Sequence, residues 1–87
     1  MIETSDDDIQ VNIKGRIITE QSVEVEVNNR NVNDNDIVGS INELRKLKNI
    51  KKVEIRNNRI TNLTCKVFAF NLPHLTKLDI RGNNIGD

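Results

Sequence analysis

Eighty-seven residues, 36% hydrophobic and 30% charged, make one small domain that buries only about 60–65% of the surface its unfolded chain exposes. Thirteen basic and thirteen acidic residues cancel, and Phe68 and Phe70 are the only aromatics, which argues against nucleic acid or an anionic membrane as partner. Cys65 is the single cysteine, so an intrachain disulfide is excluded and a reducing, cytoplasmic setting is favoured over secretion.

Residues 1–8 are polar and end in Asp6-Asp7-Asp8, with no apolar run resembling a signal peptide. Three adjacent carboxylates alternate direction on an extended chain, and no loop follows to gather them around a cation. They read as a solvated lead-in. From Ile9 the pattern alternates, with Ile9, Val11 and Ile13 apolar and Gln10 and Asn12 polar, which predicts a half-buried strand. Lys14-Gly15-Arg16 interrupts it, and Ile17-Ile18 resumes. Val23, Val25 and Val27 then alternate with Glu24 and Glu26 in a second strand.

Asn33-Asp34-Asn35-Asp36 offers capping oxygens ahead of Ile37, Ile41, Leu44 and Leu47, which recur at three- and four-residue spacing. The spacing predicts an amphipathic helix from about Asp36 to Lys48, with Asn42, Glu43, Arg45, Lys46 and Lys48 on its far face. Next comes Ile50-Lys-Lys-Val53-Glu-Ile55-Arg-Asn-Asn58-Arg-Ile60. It returns 25 residues later as Leu75-Thr-Lys-Leu78-Asp-Ile80-Arg-Gly-Asn83-Asn-Ile85. Between the copies, β-branched and aromatic residues shorten the expected helix to one or two turns ending before Pro73. No stretch approaches the ~20 apolar residues of a membrane span.

Written L-x-x-L-x-L-x-x-N-x-L with Ile and Val allowed, the recurring stretch resembles a leucine-rich repeat. Val25 to Val32 aligns as a degenerate first copy, with Ser22 for the leading apolar residue and Arg30 for the Asn. Spacings of 28 (Val25 to Val53) and 25 (Val53 to Leu78), the helix after the first strand, and the closing Asn83-Asn-Ile-Gly-Asp87 are most similar to the ribonuclease-inhibitor-like class. Over residues 22–87 the resemblance implies an α/β fold: a short leucine-rich repeat solenoid of about three repeats. Parallel strands would line its concave face, and helix or turns its convex face. The 14 residues from Val11 to Val25 are too few for a repeat unit, so residues 1–21 are expected to hold the acidic lead-in and an N-terminal β cap, for which a hairpin is one form. The resemblance also implies a hydrogen-bonded ladder of Asn58 and Asn83, starting at the second copy because Arg30 cannot accept a hydrogen bond. By themselves the two also read as ordinary turn asparagines.

Aligned, the three strands display columns of outward residues: Glu26, Glu54 and Asp79 at the centre, Lys52 and Lys77 on one side, Arg56 and Arg81 on the other. These seven are the candidate partner-binding set, through charge complementarity; the same columns also read as a solvated face that keeps the sheet soluble. His74 and Cys65, the only residues of their kinds, lie on a return segment with no orienting third group, and no phosphate loop or metal-ligand spacing occurs. The expectation is a non-catalytic protein-protein interaction module with no cofactor and no metal. A second expectation concerns the last strand. Leu78, Ile80 and Ile85 would lack a covering repeat, so the chain either belongs to a longer array or self-associates through this edge, as a structural, self-assembling piece.

Overall fold

The computed structural model describes residues 9–85; Asp6-Asp7-Asp8 of the expected lead-in and Gly86-Asp87 lie outside them. Strands β1 (Gln10–Ile13) and β2 (Arg16–Thr19) form an antiparallel hairpin. Its two-residue turn places Lys14 and Gly15 at φ 51° and 89°, the mirror-image turn whose twist matches paired strands. Val11, Ile13 and Ile18 are buried on one side, where β1 packs against the first helix.

The remaining strands are β3 (Glu24–Glu26), β4 (Lys52–Glu54) and β5 (Lys77–Asp79), paired parallel in that order. Val25 lies opposite Val53, and Val53 opposite Leu78. Parallel neighbours need crossovers, here supplied by α1 (Asp34–Leu44) and α2 (Asn62–Asn71). Each strand leaves the sheet through a left-handed residue at the same step: Asn29 at φ 57°, Asn57 at 58° and Gly82 at 76°. Gly82 is needed twice over, because a Cβ there would meet Asn57 Oδ1 at 2.1 Å.

The expected fold class is corrected. Among the described residues a small α/β unit forms, with two separate sheets, one antiparallel of two strands and one parallel of three, and two helices; it is not a solenoid of about three repeats. A solenoid requires like units stacked on one another. Among the described residues only two strands are followed by helices, β5 stands without one, and the hairpin hydrogen-bonds within itself as a sheet of its own.

The helices also differ from their predicted bounds. Asn33, two residues earlier than expected at the cap, accepts from Asp36 N–H (3.0 Å) while the Asp36 carboxylate accepts from Asn33 N–H (2.9 Å), a reciprocal box that starts α1 at Asp34. Leu47 keeps the apolar spacing and is buried, but the chain has already tightened: Lys46 and Leu47 donate three residues back, to Glu43 and Leu44. The second helix is ten residues long, nearly three turns, capped by Thr61 and carrying buried Thr64 and Phe68. Val23, predicted to alternate inward with Val25, is 59% exposed.

The core runs through both sheets: Val11, Ile13 and Ile18 from the hairpin, Val25, Val27, Val53 and Ile55 from the parallel strands, and Ile37, Leu44 and Phe68 from the helices. Asp34 links the two helices. Its carboxylate accepts from Thr61 N–H (2.9 Å), Thr61 Oγ1 (2.6 Å) and Thr64 Oγ1 (2.5 Å). Partial burial pushes the Asp34 pKa up, but these hydrogen bonds outweigh it and hold the group below its ordinary value.

Candidate interaction face

Residues alternate across a strand, so the neighbours of the core-side Val25, Val53 and Leu78 point to the other side of the sheet. There Lys52 stands opposite Lys77, and Glu54 opposite both Glu26 and Asp79. Like charges in adjacent strands repel, and the flanking cations answer that. Lys52 Nζ lies 3.5 Å from Glu54 Oε1, and Arg56 Nη2 meets Glu54 Oε2. Arg81 Nη2 lies 2.8 Å from Asp79 Oδ2, with a second bond from its Nε to Oδ1 at 2.9 Å. Arg56 thus sits between the two carboxylates, its Nε buried without a hydrogen-bond acceptor among the described residues and 3.9 Å from Asp79 Oδ2.

The seven candidate residues are therefore brought to one face but not into one role. Glu26, Lys77 and Arg81 are exposed; Lys52, Arg56 and Asp79 are half-buried. Glu54 is only 6% exposed, so its expected use as an open contact is corrected: its charge is spent on neighbours within the sheet. A hydrogen bond from Asn28 is the main influence lowering the Glu54 pKa; burial opposes it, and Arg56 and Lys52 reinforce it. Asp79 is held down to about 2, first by the Arg81 hydrogen bond and then, against some burial, by the charges of Arg81 and Arg56.

Asn28 is the residue that sequence reasoning passed over. Its Oδ1 accepts from Arg56 N–H (2.7 Å), and its Nδ2 donates to Glu54 (3.0 Å) and Glu26 (3.3 Å), stitching β3 to β4. The signal was its place in the column of Arg56 and Arg81, where it is the one uncharged member.

Behind this face lie the two ladder asparagines. Asn58 Oδ1 accepts from Arg30 N–H and Val32 N–H, both at 2.9 Å, and its Nδ2 donates to Val27 O (2.7 Å) and Arg56 O (2.9 Å). Asn83 repeats the pattern one strand on, accepting from Asn58 (3.2 Å) and Ile60 (3.1 Å) and donating to Ile55 O (2.6 Å) and Ile80 O (2.8 Å). Arg30, where a third asparagine would stand, sends its guanidinium to Lys14 O at 3.0 Å and ties the sheet to the hairpin turn.

At the sheet's far edge, Leu78 is 37% exposed, and Ile80 and Ile85 are half-buried. A groove of 330 Å³ between α2 and β5 is lined by Cys65, Phe68, Leu72, Leu75 and Leu78. His74 borders a different hollow, with Arg45, Leu47 and Ile50. Burial, and next the Asp34 charge, push the Cys65 thiol pKa up, which lowers its thiolate fraction at neutral pH. Among the described residues no three His, Cys, Asp or Glu side chains are placed to hold a metal, and no helix is long and apolar enough to cross a membrane. No known protein family, curated protein or solved structure matches this chain.

Proposed function

We propose that this chain is a non-catalytic, cytoplasmic protein-interaction module that receives its partner on the charged face of the three-stranded sheet. The observation that carries this reading is the division of labour on that face. Glu54 is held by Arg56 and Asp79 by Arg81, while the exposed Glu26, Lys77 and outer side of Arg81 remain open around them. A preorganised charge pattern orients a complementary partner without first having to order itself. The resemblance of Ile50–Ile60 and Leu75–Ile85 to leucine-rich repeats supports the same role by analogy, since proteins of that family commonly bind other proteins.

The test is affinity capture by the native chain, beside Glu26→Lys and Arg81→Glu variants that keep the native circular dichroism. The expected result is a captured protein whose binding falls at least about fivefold in each variant and weakens with salt. Capture unaffected by both variants would overturn the assignment of this face.

A further inference from the structure

The outer edge of β5 carries an independent proposal. In a parallel pair alternate residues turn their backbone groups to the same neighbour. Asp79 C=O accepts from Ile55 N–H (2.8 Å) and Lys77 N–H donates to Lys51 O (3.2 Å), so residues 77 and 79 face β4. Leu78 and Ile80 therefore turn their N–H and C=O groups the other way. Ile80 O is already taken by Asn83 Nδ2 at 2.8 Å. Among the described residues no strand pairs with this edge, and the Leu78 side chain stands 37% exposed beside the 330 Å³ groove.

We propose that this edge seats a second copy of the chain, added antiparallel about a two-fold axis at Leu78, so that two three-stranded sheets join as one of six. Charge and backbone choose among two-fold registers centred on Leu78, Asp79 and Ile80. Centred on Asp79, the pairing sets Asp79 against Asp79 and Lys77 against Arg81, like against like on both counts. Centred on Ile80, it needs extended backbone through Gly82, which instead turns at φ 76°. Centred on Leu78, it uses β5 alone. The two Leu78 residues exchange their free backbone groups, and Lys77 of each copy faces Asp79 of the other. Lys77 is exposed and makes no ion pair among the described residues, so it is available for that contact. The two leucines meet on the core side, each beside the other copy's groove along Cys65, Phe68 and Leu72. The opposite edge of the sheet is not equivalent, because Arg16 of the hairpin borders Glu26 and Asn28 there.

Sedimentation of the full chain from about 1 to several hundred μM tests this, with Lys77→Glu and Asp79→Lys as variants. The native chain should show a monomer–dimer equilibrium. Each variant alone should weaken the dimer by roughly tenfold, since two attractive pairs become two repulsive ones. Mixed one to one, the variants should recover it as a heterodimer, because one then carries only negative and the other only positive charge at positions 77 and 79. A monomer throughout, or an open-ended polymer, overturns the proposal. So does a dimer indifferent to Lys77→Glu, or one that it strengthens, the latter result moving the axis to Asp79. Rescue on mixing separates an interface effect from misfolding, which mixing cannot repair.

Discussion

Ile50–Ile60 and Leu75–Ile85 share every apolar position, yet the structure treats them differently. Ile50, Val53, Ile55 and Ile60 are 4%, 1%, 0% and 0% exposed; Leu75, Ile80 and Ile85 are only partly buried and Leu78 is 37% exposed. The backbone is not the cause, because both strands extend, turn left-handed at Asn57 or Gly82, and end at a bonded asparagine. What differs is the neighbour: among the described residues β4 has a strand on each side, whereas β5 has one. Identical patterning therefore contributes unequal stability, and the weaker copy leaves apolar surface and backbone groups for something else to use.

The most direct way to break this comparison is to truncate matched residues. Ile55→Ala removes a side chain with no exposure and should cost about 3–4 kcal/mol in urea unfolding, against about 1–2 kcal/mol for Ile80→Ala. Equal costs would mean that β5 is as fully packed as β4. The ladder sharpens the same contrast at smaller scale. Asn58→Ala strands the buried Val32 N–H and Val27 O and should cost about 2–3 kcal/mol. Asn83→Ala frees groups that water can reach more easily, for about 1 kcal/mol. Beyond the strands, Asp34→Ala should cost about 1–2 kcal/mol by releasing Thr61 and Thr64 from α1, and Asp34→Asn should recover part of that loss.

The strand register was legible because period-2 alternation and the 28- and 25-residue spacings are backbone properties. Val25, Val53 and Leu78, aligned by pattern, lie side by side in the sheet. The architecture above that level was not legible. Pattern alone does not say whether strand–helix units stack on like units or, as here, meet a hairpin whose antiparallel sheet packs against α1. The helix ends escaped for local reasons: the Asn33–Asp36 box outcompeted the later capping candidates, and apolar spacing carried on to Leu47 through a tighter turn. The face was half legible. Its columns follow from alternation, but Glu26 and Glu54 look alike in sequence. Only the strands and side chains around Glu54 bury it while Glu26 stays exposed.

The two carboxylates that face each other across β4 and β5 give the finest test, because their pKa values are lowered by different partners. Asp79 falls from 3.8 to about 2, chiefly through Arg81, whose side chain is 74% exposed. Glu54 falls below 4.5 chiefly through the neutral amide of Asn28. A depressed folded-state pKa adds stability above the unfolded value that is lost as pH falls through the folded one. Asp79 therefore supports the fold above about pH 4 and gives up that support towards pH 2. At 1 M salt the screening length shrinks to about 3 Å, so an exposed ion pair weakens while an amide hydrogen bond beside a buried carboxylate is largely spared. Carboxyl-carbon NMR titrations at low and high salt should show the Asp79 midpoint climbing towards 3.8 and the Glu54 midpoint moving less. Asn28→Ala should reverse the ranking by raising Glu54 while leaving Asp79 nearly in place. Equal salt shifts in the native chain would show that both carboxylates lean on the same cations, and the distinction between the enclosed strand and the edge strand would fail at its charged face.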